Sequence, residues 1–131
     1  MKQAVAAPQF AHYPQDWHFS PVLRSGDFAF FSGQTGVRPD GTLSSDPEQQ
    51  FRDAFSHLAA NLSAAELTFH DVVEMTTYHI GLRQHLASFI KVKDDYIHPP
   101  YPAWTAIGVA ELITPGTLVE IRIIARQSSA D

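Results

Sequence analysis

The segment DFAFFSGQTG, residues 27–36, restricts the possible folds of this chain more than any other. Its β-formers break into Ser32, Gly33 and Gly36, the mark of a strand ending where backbone must approach something closely. Alternation assigns Phe28 and Phe30 to one face and Ala29 and Phe31 to the other, so both faces are apolar. Such a strand wants cover on both sides. The turn RPDGT (38–42) follows it.

Two helices are expected to supply the first cover. In SDPEQQFRDAFSHLAANLSAAEL, Asp46 is the candidate N-cap, Pro47 suits the first helical position and Gln49 can complete a capping box. Phe51, Ala54, Phe55, Leu58, Leu62 and Ala65 recur at helical spacing and form the buried stripe, with Arg52, Asp53 and Glu66 solvated. A second helix spans 83–97, with Leu86, Phe89, Ile90 and the stem of Lys93 on its inner side, and HPPYP stops it. DVVEMTTYHI (71–80) reads as a central strand ended by Gly81. Two more strands, near 104–111 and 117–126, are joined by a turn at 114–116. In the last, Val119, Ile121, Ile123 and Ala125 alternate with Glu120, Arg122, Ile124 and Arg126. The order ββ, α, β, α, ββ predicts an α+β layer with the helices on one face of a sheet. The second face needs a partner or water, and its apolar residues point to a homo-oligomer. Residues 1–17 read as an extended N-terminal arm and 18–131 as a single domain, without repeats or low-complexity tracts.

With 44% hydrophobic residues in 131, the chain can bury about two-thirds of its unfolded surface as one domain. No apolar run approaches the ~20 residues that cross a bilayer, and the first residues lack the core of a signal peptide, so no membrane partner and a cytoplasmic location are expected. The absence of cysteine rules out thiol chemistry and Cys-type zinc sites. Fourteen acidic against nine scattered basic residues make nucleic acid a poor partner and a small molecule a better one. Histidines 12, 18, 57, 70, 85 and 98 lack metal-ligand spacing, and phosphate-loop patterns are absent, so neither a metal nor a nucleotide cofactor is expected.

Taken together, FSPVLRSGDFAFFSGQTGV, the amphipathic helix after it, FHDVVEMTTYHI, YPAWTAIGVAEL and PGTLVEIRIIA resemble the RidA family, also called YjgF/YER057c/UK114, over about residues 18–127. The resemblance implies a chorismate-mutase-like α+β fold, a homotrimer and small-molecule pockets between subunits. The best-known activity of the family is hydrolysis of reactive enamines and imines to ketoacids and ammonia. Carried across by position, the family's pocket tyrosine falls at Phe19, its Ser-Gly pair at Ser32 and Gly33, its carboxyl-terminal acid at Glu120 and its helix asparagine at Lys93. The arginine that pairs with the substrate carboxylate falls at Trp104, a pattern similar to an arginine-lacking branch of the family.

Several of these positions carry two readings. Glu120 either forms an ion pair with Arg122 or Arg126, or orients and deprotonates a water for attack on a carbon–nitrogen double bond. Ser32 and Gly33 serve the turn, or hold a substrate oxygen with a hydroxyl and backbone N–H groups. His79 is a core residue or a proton donor that titrates near neutrality. Trp104 fills the space of the missing arginine, or stacks a neutral planar ligand edged by Tyr101. An indole cannot make the bidentate ion pair of a guanidinium, whose loss costs ~2–5 kcal/mol at a desolvated site. Amino-acid-derived imines are therefore expected to be poor substrates, and the leading function the resemblance implies is a hydrolase or deaminase acting on another imine-type or cyclic small molecule. A non-catalytic binding module is the second function open to this chain, and an endoribonuclease, disfavoured by the acidic balance, the third.

Overall fold

The computed structural model describes residues 1–128. Its strands are β1 (Lys2–Val5), β2 (Val22–Ser25), β3 (Phe28–Gln34), β4 (Val72–His79), β5 (Ala103–Gly108) and β6 (Val119–Arg126), and its helices are α1 (Tyr13–Trp17), α2 (Pro47–Ala64) and α3 (Leu82–Tyr96). The strands form one sheet in the order β1-β2-β3-β6-β4-β5, antiparallel except for the parallel pair β4–β5.

Alternation divides this sheet into two unlike faces. Ala29, Phe31, Met75, Thr77, His79, Ile121, Ile123 and Ala125 are buried on the side that α2 and α3 cover. The predicted stripe of α2, from Phe51 to Leu62, enters the same core. Phe89 of α3 joins the layers, packing on Phe51, Phe55, His79 and Trp104. Each fully buried aromatic or aliphatic side chain here contributes roughly 1.5–3 kcal/mol relative to exposure. Among the described residues no element covers the opposite face, and Phe28, Phe30, Val73 and Ile107 remain 40%, 39%, 43% and 40% exposed on it.

Four local expectations are corrected. The first seventeen residues are not a simple extended arm: β1 pairs with β2, a 3-10 turn follows at Pro8–Phe10, and α1 follows that. Ala7 and Phe10 are buried, and Asn61 of α2 accepts the Ala7 N–H at 3.0 Å. Secondly, β5 and β6 are not adjacent, because β4 lies between them and the 109–118 connection crosses its end. Gln50 holds that connection, donating to Gly116 O at 3.0 Å and accepting from Leu118 N at 3.0 Å. Thirdly, Asp46 does cap α2, accepting from Gln49 N at 3.1 Å, but the reciprocal half of the box is absent. Ser44 Oγ already takes the Asp46 N–H, and the Gln49 side chain donates to Asp53 instead. Finally, Asp53 is not simply solvated, since Arg38 pairs with it at 3.0 Å.

Candidate functional site

Between Phe31 and Gln34 the ladder with β6 slips. Phe31 faces Ile123 and Gln34 faces Ile121, so Ser32 and Gly33 together stand opposite Arg122. This is a β-bulge: one extra residue bends the strand and frees backbone from regular pairing, a device common beside functional sites. Gly33 is required there for a second reason. A Cβ on it would lie 2.6 Å from Cγ, Cδ and Oε2 of Glu120, so the acidic side chain lies directly across the bare glycine.

Glu120 projects from β6 onto the uncovered face, level with Tyr78 of β4. It is half-buried, and burial pushes its carboxyl above the usual range. None of the four ion pairs among the described residues includes it, which corrects the first of its two readings, an ion pair with Arg122 or Arg126. Arg126 instead lies over the Phe28 ring, 5.6 Å from its centroid. On its other flank Glu120 borders an open groove of about 430 Å³ with Glu111, Leu112 and Ile113. Ser32 is fixed by its neighbours: its hydroxyl donates to Ser20 O at 2.7 Å and its N–H to Pro21 O at 3.0 Å.

The remaining candidates lie elsewhere. Trp104 is level with Met75 in the parallel β4–β5 pair and therefore faces the helices, on the side opposite Glu120. Its indole N–H donates to Thr77 Oγ1 at 2.9 Å, and the same oxygen bonds His79 Nε2 at 2.7 Å. Lys93 from α3 sets its Nζ 4.5 Å from the centroid of the indole. His79 is sealed under Phe89, its ring edge-on at 4.8 Å, and burial lowers its pKa to about 4. The proton-donor reading of His79 is corrected accordingly, since a neutral imidazole facing the core does not reach the groove beside Glu120.

Phe19 is exposed and stacks on Tyr13 at 5.0 Å, part of an aromatic series with Phe10 and His12. Tyr101 is exposed where the chain enters β5. One chain thus holds two separate constellations: Ser32, Gly33 and Glu120 on the uncovered face, and Lys93, Trp104, Thr77 and His79 under α3. Thr77 and the Glu111–Ile113 wall were absent from the residues predicted from sequence. Period-two spacing from His79 is the signal that could have found Thr77, whereas the wall depends on a loop path that no periodicity encodes.

The endoribonuclease L-PSP family model matches residues 11–127. The chain belongs to this family, the RidA family. The RutC family protein YjgH of Escherichia coli (strain K12) is 44% identical over 109 residues, 82% of this chain and 82% of that protein. A solved structure of protein YJGH superposes on this RidA-family chain with a TM-score of 0.84 at 38% identity, covering 98% of each. The 2-iminobutanoate/2-iminopropanoate deaminase of Dermatophagoides farinae is 26% identical over 96 residues, 72% of this chain and 74% of that protein. Among the described residues no helix is long and apolar enough to cross a membrane, and no three His, Cys, Asp or Glu side chains are grouped to hold a metal ion.

Proposed function

We propose that this RidA-family chain forms a homotrimer whose small-molecule pockets lie between subunits, and that it hydrolyses an imine-type substrate there with Glu120 as the acid–base group. The observation that carries the reading is a half-buried carboxylate, pressed against Gly33 beside an open groove, with no counter-ion among the described residues. A structural carboxylate would be paired or solvated; one left desolvated and unpaired costs stability and is suited to proton transfer. The two constellations stand on opposite faces of the sheet, so a single chain cannot join them. A second copy seated on the exposed apolar face can bring its own Lys93–Trp104 edge to the bulge of the first.

In this mechanism Glu120 takes a proton from water as the oxygen adds to the imine carbon, giving a carbinolamine. The protonated Glu120 returns that proton to nitrogen, completing the neutral carbinolamine. Glu120 then takes the proton of the new hydroxyl and passes it to nitrogen as the carbon–oxygen double bond forms and the carbon–nitrogen bond breaks, and the products are a carbonyl compound and ammonia. With the Ser32 N–H bonded to Pro21 O, the Gly33 N–H at the bulge supports the developing oxygen charge. Trp104 lacks the bidentate fork that pairs with a carboxylate, so turnover of 2-imino acids should be weak beside that of neutral imines.

Ammonia release from imines generated in situ tests this, with light scattering to measure assembly. Turnover by the wild type that disappears in Glu120→Gln, from a trimer, is expected; turnover unaffected by Glu120→Gln removes the carboxylate from the chemistry. A binding module without catalysis is the second reading, favoured by one observation. With Ser32 Oγ committed to Ser20 and His79 sealed, neither of the two further catalytic candidates serves Glu120 as an acid–base partner. Ligands that raise the melting temperature yet emerge unchanged would support it.

A further inference from the structure

Among the described residues, the groove beside Glu120 is lined by acidic and aliphatic side chains and by no Lys, Arg or His. Glu111, Leu112 and Ile113 line it from the 109–118 connection, and Glu120 lines it from β6. That connection is pinned at both ends. The Val109 N–H donates to His79 O at 2.9 Å, and Leu118 O accepts the Ile80 N–H at 3.0 Å. Gln50 adds its bonds to Gly116 O and Leu118 N. Ile113 is 82% exposed, an apolar surface that the alkyl part of a ligand can cover. Glu111 is exposed and takes part in none of the ion pairs among the described residues, so its charge acts on whatever enters the groove.

We infer that Glu111 is a specificity-determining residue whose carboxylate turns acid-bearing molecules away from the groove and leaves it to small aliphatic ligands with a planar, uncharged C=N or C=O head. The inference rests on the proposal that the groove beside Glu120 is the small-molecule site, and it names the substrate class of that site. An entering carboxylate meets Glu111 and, when ionised, Glu120, and finds no counter-ion in the lining. A neutral head meets no such opposition while its alkyl part is buried against Leu112 and Ile113. This cause is separate from Trp104: the indole only withholds an attraction, whereas Glu111 supplies an opposing charge. Salt tells the two apart. Screening relieves repulsion, so affinity for an acid rises with ionic strength, and a missing clamp leaves no such signature.

Butanamide and butanoate are matched probes, alike in shape and different in charge. Methyl NMR reads their entry through Leu112 and Ile113. In the parent, butanamide should give saturable shifts and butanoate should bind at least about threefold more weakly, with added salt strengthening butanoate and leaving butanamide unmoved. Glu111→Gln should narrow that gap and reduce the gain with salt. Glu111→Lys should favour butanoate and make salt weaken it. Asp94→Asn removes the same unit of charge from an exposed position on α3, across the sheet, and should change neither ratio nor salt response. Butanoate bound as tightly as butanamide by the parent, an unchanged ratio in Glu111→Gln, an equal change in Asp94→Asn, or no butanamide binding at all overturns the inference. A preference of the parent for butanoate that salt weakens also overturns it, because a cation from the neighbouring copy would then outweigh Glu111. Turnover separates the two claims. Ammonia release that is lost in Glu120→Gln while both probes bind equally refutes only the role of Glu111; charge discrimination without imine hydrolysis refutes only the hydrolase.

Discussion

Gly33→Ala is the sharpest test of the contact between the bulge and Glu120. The added methyl would sit 2.6 Å from three outer atoms of that side chain, against an ordinary contact of 3.4–4 Å, so the carboxyl group must retreat by about 1 Å. Because the atoms that clash are the mobile end of a glutamate rather than backbone, the stability cost should fall at or below the low end of the ~1–3 kcal/mol typical of overpacking. The cost to chemistry is much larger, since a 1 Å misplacement of a reacting group costs on the order of 10²-fold. A carboxyl displaced toward water also loses the desolvation that raises its pKa, so the acidic limb of the rate profile should move to lower pH. The assay is ammonia release against pH, with thermal melting and light scattering to confirm a folded assembly. Adding Glu120→Gln to Gly33→Ala should cause no further loss of stability, as the two residues share one interaction. Full turnover by Gly33→Ala with an unmoved acidic limb would refute the claim that Glu120 works from its place across the glycine.

Three further outcomes follow from the same structure. Thr77→Val leaves Trp104 Nε1 and His79 Nε2 without their shared partner and should cost about 1–3 kcal/mol for each buried group, seen as a lower urea midpoint at constant m. His79 is neutral in the fold with a pKa near 4 against 6.5 when free, so between those values the unfolded chain binds the extra proton. Stability should therefore be intact above pH 6.5 and fall as pH drops toward 4, with this group supplying up to about 1.4 kcal/mol per pH unit; denaturation across that window should show a shallower slope in His79→Gln. Phe10→Ala removes a buried ring that packs edge-on against His57 at 5.3 Å and should cost about 3–5 kcal/mol, a loss that a disordered arm would not produce on chemical denaturation.

The parts of the fold that could be read ahead were those with local causes. Asp46 caps its own helix three residues away, and Phe51 to Ala65 bury one stripe because a helix returns each of them to the same side. In β6 the alternation of Val119, Ile121, Ile123 and Ala125 states which side faces the core without reference to any other strand. The parts that escaped were set by distant partners. Lys2–Val5 has no buried alternation of its own and becomes a strand only because β2 offers an edge to it. Ser32 and Gly33 were visible as a break, but whether a break is a strand end or a bulge depends on Ile121 and Ile123, far along the chain.

Trp104 shows the same limit at the site itself. Its residue type already argued against a carboxylate clamp, yet its direction was undetermined, because side chains on β5 are oriented by register with β4. Level with Met75, the indole goes under α3; a shift of one residue would have turned it toward the face of Glu120. Lys93, eleven positions earlier in the chain, meets it only through the packing of α3 over the edge strand. The sheet therefore insulates the two halves of the candidate site from each other within a chain. Substitution at 104 or 93 should alter which ligands bind while leaving the pH dependence conferred by Glu120 unmoved, and substitution at 33 should do the reverse. A variant of Trp104 that shifts the acidic limb of turnover as far as Gly33→Ala does would show that the second copy in the proposed trimer sets the indole against the Glu120 carboxyl group itself rather than only at the edge of the same pocket.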